Sequence, residues 1–132
     1  MIIFKNDETI ILTFLIKNNK ELLFMSEAKL INYSTADFGA KADMELRLFK
    51  WQDQKEEYLS MLKAGGMLRF TTMRIWNKEN VFRLGYLFEY KDEESYKKCQ
   101  LIWQEIEKNM KAEMPVKVFA NRGIVLDDIK FN

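Results

Sequence analysis

Tyrosine, tryptophan and arginine side chains are the groups in this sequence that could bind or act on a small molecule. A tyrosine can donate a hydrogen bond or act as an acid, and an arginine can hold a carboxylate or an enolate. We expect such a site between a sheet and its helices, lined by Tyr58, Tyr86, Tyr96 and Trp103, with Trp76, Arg47 and Arg74 at its rim. The alternative is that the aromatic side chains form core and that the arginines pair with Glu45 or Glu89 on neighbouring strands.

The chain contains no histidine, which limits the chemistry that it can perform. This excludes Ser-His-Asp and Cys-His catalytic arrangements and histidine-ligated haem, zinc or iron. Cys99 is the single cysteine. It lies in the apolar stripe of a predicted helix, so we expect a buried, unreactive thiol. We therefore predict a protein without metal or cofactor, and a lone cysteine is typical of a reducing cytoplasm.

Length and charge argue against two classes of partner. The chain has 132 residues, enough for one domain with its own core, and a net charge of +1. No cluster of lysine and arginine stands out, so we do not expect a nucleic-acid-binding face. The apolar run at residues 10–16 is too short to span a membrane, so we do not expect a membrane partner.

Residues 1–43 are predicted to be an extension that precedes the main domain. Residues 1–24 fit a β-hairpin that turns at Asn18 and Asn19. A second interpretation is that translation starts at Met25, because the residues after it look like a natural N-terminus; residues 1–24 would then be a leader. The rest of the extension has no clear period, so we expect a loop, with a short strand over residues 29–33 as an option.

Two long strands joined by a polar turn form the centre of the predicted fold. Residues 68–76 and 81–90 alternate between two faces, and residues 77–80 form the hairpin turn. Apolar side chains occupy both faces, which indicates that one face packs on helices and the other on a partner sheet. Gly85 interrupts the second strand and indicates either a bulge or the close approach of another group.

A further strand and a helix are predicted before this hairpin. Residues 44–51 (MELRLFKW) alternate as a strand, and a helix follows to about residue 63. Asp53 stands at its N-cap, with Glu56 in the capping-box position. The next two residues after the helix, Gly65 and Gly66, are glycines that can end it in a left-handed conformation.

A second helix and two short strands are predicted after the hairpin. Asp92 caps a helix over residues 93–113. A strand follows at residues 116–120, and after a turn at residues 121–123 we expect a further strand or an edge segment at residues 124–129. The order from residue 44 is strand, helix, strand, strand, helix, strand. This is the α+β ferredoxin-like βαββαβ arrangement with an antiparallel sheet, which we assign to a domain at residues 44–132.

Three stretches resemble the dimeric α/β-barrel group of ferredoxin-like proteins, which contains NIPSNAP-like and antibiotic-biosynthesis-monooxygenase-like families. They are MELRLFKW, LGYLFEYKDEESYKKCQLIWQEIE and VKVFANRGIVL. The resemblance implies a homodimer in which two four-stranded sheets meet face to face. The group includes cofactor-independent oxygenases, haem-degrading enzymes and small-acid isomerases. Several of these rely on a histidine that this chain lacks, so no catalytic residue is carried over.

Two functions are compatible with these observations. The first is a small cytoplasmic homodimer that binds or transforms a small, largely apolar organic molecule without metal or histidine. The second is a non-catalytic structural or regulatory homodimer. The sequence leaves open whether the protein is an enzyme. A cavity of a few hundred cubic ångströms on which tyrosine and arginine converge would favour the first function, and a closed core would favour the second.

Overall fold

The computed structural model describes residues 28–111 and 113–132. In chain order the elements of this part are β1 (Leu30–Phe38), α1 (Lys41–Gln54), α2 (Glu56–Ala64), β2 (Met67–Arg74), β3 (Phe82–Tyr90), α3 (Glu93–Met110) and β4 (Lys117–Ile124). The predicted hairpin or leader at residues 1–24 lies outside the described residues. No helix in the described part is long and apolar enough to cross a membrane.

The four strands form one antiparallel sheet in the order β2-β3-β1-β4. The helices pack against β1, β2 and β3. Their contacts fall on one surface, the helix face, which carries Leu30 and Tyr90 in one core cluster and Ala36, Phe38 and Leu84 in another. The fold is therefore the predicted ferredoxin-like α+β arrangement.

The opposite surface of the sheet, the open face, is apolar at its centre. It carries Tyr33, Met73, Ile75, Leu87 and Phe119, because side chains alternate between the two faces of a strand. A Cβ atom at Gly85 would lie 3.1 Å from Ile75 Cδ1 and 3.4 Å from Tyr33 Oη. Of the two alternatives predicted for Gly85, a bulge or a close approach, the structure therefore has the close approach of side chains. The irregular register lies in β2, between Met67 and Arg69.

The predicted strand at residues 44–51 is wrong, because these residues lie in α1. The stretch fits both the strand period of two residues and the helix period of about 3.6 residues. One face of the helix carries Met44, Leu48 and Trp51, and that face packs on the core. The first strand is instead β1, which the sequence assigned to the extension, so that residue 44 falls inside α1. Polar residues in β1 had concealed its alternating burial.

The predicted cap of the next helix is also wrong. Asp53 lies in the last turn of α1, and Lys55 stands at the N-cap of α2 without a side-chain hydrogen bond. Of the two glycines, Gly65 is right-handed and Gly66 has the positive φ, +102°. A Cβ atom at Gly66 would lie 2.0 Å from Ser95 Oγ, so this turn needs glycine for its conformation and for the close approach of α3.

The second half of the chain follows the prediction except at β4. The hairpin of β2 and β3 is confirmed, and Asn80 in its turn takes a positive φ. Helix α3 is confirmed behind its cap Asp92. The predicted turn at residues 121–123 is wrong, because these residues pair with β1 and make β4 continuous. Residues 125–132, the tail, follow without regular structure, so the predicted strand at residues 124–129 is wrong as well.

Candidate functional site

A cavity of about 350 Å³ lies between the helix face of the sheet and helices α1 and α3. The sheet contributes its inner wall: Asn32, Ser34, Phe70, Thr72, Tyr86, Phe88 and Tyr90. The helices contribute its outer wall: Arg47, Leu48, Trp51, Gln100, Trp103 and Glu107. The remaining side is formed by Met114, Val118, Ala120 and Arg122, which are exposed to solvent. The cavity therefore opens along β4.

Aromatic rings fix the shape of the cavity. Phe70 and Phe88 pair across β2 and β3, and their rings stack with centroids 4.7 Å apart. Trp103 meets both rings edge-on at 5.3 Å. Trp51 meets Phe70 edge-on at 5.5 Å. Such interlocked edge-to-face contacts hold rings in fixed orientations, so the walls suit a flat apolar molecule.

One region of the cavity wall is polar and deeply buried. Asn32 is buried on β1, and its Oδ1 accepts a hydrogen bond of 3.2 Å from Ser34 Oγ. The Tyr90 hydroxyl and Trp103 Nε1 are also buried, and neither has a hydrogen-bond partner among the described residues. Burial raises the pKa of the Tyr90 phenol, so it stays protonated and able to donate at neutral pH. The nearby Trp103 N–H offsets part of that rise, although the two groups form no hydrogen bond of good geometry. The wall thus contains two neighbouring donors, neither of which has another acceptor among the described residues.

An ion pair joins the two helices that cover the cavity. Arg47 Nη2 on α1 donates to Glu107 Oε1 on α3, and the two side chains are 12% and 38% exposed. Tyr86 lies on the sheet beneath them. Burial raises the pKa of its phenol, and the positive charge of Arg47 offsets part of that rise. The charge of Arg47 is therefore already balanced by a carboxylate of the protein.

The structure brings together three of the seven predicted binding residues. Arg47, Tyr86 and Trp103 line the cavity. Tyr58 is buried in the core cluster beneath α2, and Tyr96 packs edge-on against Tyr90 at 5.5 Å, with the Arg122 guanidinium 5.4 Å from its ring. Those two rings are therefore core residues, as the alternative interpretation held.

The other two predicted residues lie away from the cavity. Arg74 is exposed at the end of β2, and Trp76, which follows the strand, is 90% exposed. The predicted partners of the arginines are also wrong, since Arg47 pairs with Glu107, Glu45 with Lys41, and Glu89 with Arg69.

Sequence reasoning missed several lining residues for identifiable reasons. Trp51 was placed in a strand that is in fact a helix. Asn32 lies in β1, of which the sequence offered only a short strand over residues 29–33 as an option. Phe70 could have been found, because it lies opposite Phe88 in the correctly predicted hairpin.

The described residues contain no group of three or more histidine, cysteine, aspartate or glutamate side chains that could hold a metal ion. Cys99 is buried, as predicted, and its Sγ donates to the Leu62 carbonyl at 3.6 Å. Burial raises the pKa of this thiol, which disfavours the thiolate that a nucleophile needs. The chemistry of the cavity therefore depends on tyrosine, tryptophan, asparagine and the Arg47–Glu107 pair.

Comparison with solved structures identifies proteins of the same fold. A dimeric ferredoxin-like protein from an uncultured marine organism is 27% identical, with a TM-score of 0.71, over 82% of this chain and 96% of that chain. A second dimeric ferredoxin-like protein from an uncultured marine organism is 29% identical, with a TM-score of 0.67, over 78% of this chain and 100% of that chain. These similarities agree with the ferredoxin-like architecture described above.

A more distant similarity shows the fold alone. The monooxygenase from the gene ActVA-Orf6 of Streptomyces coelicolor, solved in complex with the ligand Nanaomycin D, is 10% identical, with a TM-score of 0.60, over 80% of this chain and 94% of that chain. No curated protein matches the chain. Residues 27–125, which include every strand and helix described above, match the family described as Domain of unknown function (DUF6974), and the chain therefore belongs to that family.

Proposed function

We propose that this protein binds a small, neutral, flat aromatic molecule that carries a hydrogen-bond acceptor such as a carbonyl oxygen. The observation that carries the proposal is the pair of buried donors, Tyr90 Oη and Trp103 Nε1, which lack acceptors in an aromatic-walled cavity. Leaving a buried polar group unsatisfied costs about 1–3 kcal/mol. Both atoms are shielded from the open space of the cavity, so a ligand acceptor would reach them after a shift of one ring and would then recover part of that cost.

The charges around the cavity support a neutral ligand over an acid. Arg47 is the most buried cation of the lining, and Glu107 already neutralises it. A carboxylate ligand would have to displace Glu107 and leave that side chain without its partner. Arg122 is exposed to solvent at the open side, where it stacks on Tyr96, and its charge offsets part of the rise in the Tyr90 pKa. A neutral acceptor would leave the Arg47–Glu107 pair intact.

The volume and walls of the cavity weigh against a purely structural role. About 350 Å³ is within the range of small-molecule sites, which are mostly apolar with a few convergent polar groups. The Streptomyces monooxygenase, which shares the fold, was solved with an organic ligand. The Tyr86 phenol, close to Arg47, is a lining group that would stay protonated and could donate a hydrogen bond to a ligand.

We further propose that the protein is a homodimer that pairs through the open face. The apolar centre of this face is flanked by ion pairs at both ends. Arg83 Nε and Nη2 donate to the Asp37 carboxylate at 2.5 and 2.9 Å, and Arg69 lies 3.7 Å from Glu89. An apolar centre with a polar rim is typical of protein interfaces. Two solved proteins with 27% and 29% identity are described as dimeric, which supports a dimer here.

A pair of matched ligands tests the proposed binding class. 2-Acetylnaphthalene and 2-isopropylnaphthalene have nearly the same shape, but only the ketone offers an acceptor. Quenching of tryptophan fluorescence, to which Trp51 and Trp103 in the wall contribute, would report both affinities. The ketone preference is the Kd of 2-isopropylnaphthalene divided by the Kd of 2-acetylnaphthalene. We expect this preference to be about tenfold larger in the native protein than in Trp103→Phe or Tyr90→Phe. Tenfold corresponds to about 1.4 kcal/mol, which is the size of one hydrogen bond.

The variants serve as controls because each keeps an aromatic ring in the wall and removes one donor. Leu101→Phe, on the exposed side of α3, is the neutral comparison. A ketone preference that is the same in the native protein and in both donor variants would contradict the acceptor hypothesis. Failure of both ligands to bind the native protein would contradict a binding site for naphthalene-sized molecules.

A further inference from the structure

Strand β4 and the tail both expose apolar side chains to solvent. The whole of β4 is exposed, although it forms one side of the cavity. Its helix-face side chains Val118 and Ile124 are both apolar. In the tail, Leu126 and Phe131 are 95% and 92% exposed, and Ile129 is also exposed. Apolar side chains placed next to each other on both elements indicate a contact that one protomer does not make by itself.

We propose that the tail of a second copy of this chain lies along β4 and closes the open side of the cavity, so that each site contains residues from both protomers. This inference rests on the proposed homodimer. The backbone of β4 has β1 on one side and no strand on the other within the described sheet, so an extended segment can pair with its outer edge.

Charge and length both suit this occupant. The tail carries Asp127 and Asp128 against one lysine, Lys130, and is therefore net acidic, whereas β4 carries Lys117 and Arg122 and is net basic. An extended segment rises about 3.3 Å per residue, and stacked sheets lie about 10 Å apart. About three residues would therefore cross from one sheet to the other, and the remaining residues of the tail could run beside the partner's strand.

The tail does not fold back onto its own strand. It leaves β4 at Ile124, where Val125 N still donates to the Lys29 carbonyl at 2.8 Å. A return along the same strand would need a reversal within residues 126–128 and would bury Ile129 and Phe131. Both remain exposed. The second copy is thus the occupant that the geometry favours.

Disulfide trapping between variants with one added cysteine each distinguishes a tail on the partner's β4 from a tail on its own β4. Val118→Cys and Phe131→Cys are purified separately, mixed to allow subunit exchange, and oxidised; Ile129→Cys replaces Phe131→Cys in a parallel series to cover a shifted register. Cys99 is buried and does not compete. We expect a covalent dimer on non-reducing gels from the mixture and from the double variant, and little from either variant alone.

Each other outcome overturns the inference. A double variant that loses its thiols but stays a monomer on the gel would place the tail on its own β4. No disulfide in a sample that light scattering shows to be dimeric would place the tail elsewhere. A monomer in solution would refute the proposed dimer, and the inference with it.

Deleting the tail after residue 125 supplies the functional readout. We expect the Kd of 2-acetylnaphthalene to rise at least severalfold while the protein stays dimeric, because the open face is intact. An unchanged Kd would overturn the contribution of the tail to the site. This result is distinguishable from failure of the proposed function, in which the undeleted protein would not prefer the ketone either.

Discussion

The Tyr90 hydroxyl combines two properties that conflict with each other. It lies on a side chain with no exposed surface, in the middle of a core cluster, and it has no hydrogen-bond partner among the described residues. A phenylalanine would fill the same space without the unsatisfied group. A buried hydroxyl that burdens the fold, on a residue that lines a cavity, is typical of a functional site, where stability is traded for binding.

We therefore expect Tyr90→Phe to raise the free energy of unfolding by about 1 kcal/mol in the absence of ligand, because it removes a buried group that is not hydrogen-bonded. Urea denaturation followed by circular dichroism measures the change. Tyr58→Phe is the control: its ring belongs to the same core cluster, but its hydroxyl is not a buried unpaired group. A loss of stability in Tyr90→Phe would mean that the hydroxyl is satisfied in solution.

At the scale of elements, α3 is held at its beginning by one carboxylate. Asp92 Oδ1 accepts hydrogen bonds from Ser95 N at 2.8 Å and from Ser95 Oγ at 2.6 Å. Ser95 is buried against Gly66, so the cap also fixes the turn between α2 and β2. Because α3 supplies Trp103 and Glu107, this cap helps to position one wall of the cavity.

We expect Asp92→Ala to lower the free energy of unfolding by about 1 kcal/mol at neutral pH. The hydrogen bonds from Ser95 lower the pKa of Asp92, so folding favours the charged carboxylate. Its contribution is therefore present at neutral pH and is lost as the pH falls below about 4. Denaturation curves of the native protein and the variant should converge in acid.

Asp92→Asn is the control, since asparagine is also a good cap but does not titrate; it should lose less stability at neutral pH, and its stability relative to Asp92→Ala should not change with pH. A stability difference between Asp92→Ala and the native protein that stays constant down to strongly acidic pH would show that the charge of Asp92 is not involved.

At the scale of the whole molecule, the two faces of the sheet have different roles. Leu84 is fully buried on the helix face, whereas Leu87 lies on the open face and is half-buried. Both residues belong to β3 and differ only in the side of the sheet to which they point. They are therefore a matched pair for testing the proposed interface.

We expect Leu87→Glu to convert a dimer into a folded monomer at micromolar concentration, because a charge would enter the centre of the apolar open face. Leu84→Glu should instead unfold the protein, because an unpaired charge would enter the core. Sedimentation and circular dichroism together distinguish the two effects. Equal unfolding by both variants would show that the faces are misassigned, and a dimeric Leu87→Glu protein would place the interface elsewhere.

Part of the binding site could be predicted from the sequence. The hairpin of β2 and β3 was predicted with its alternation, and this places Tyr86 on the helix face. Helix α3 was predicted with its cap and apolar stripe, and this places Trp103 beside the sheet. In both cases the signal is local, because turn residues, caps and side-chain period lie within a few positions of one another.

Only the tertiary structure decided the first half of the domain and the open side of the cavity. MELRLFKW satisfies both the strand and the helix period, and it becomes a helix because β1 already occupies the centre of the sheet between β3 and β4. Pairing with β1 likewise extends β4 through residues typical of a turn. The sequence by itself determined the fold class and which residues are apolar. The pairing of distant strands determined which of those residues enclose a cavity, because that pairing depends on contacts that no local pattern records.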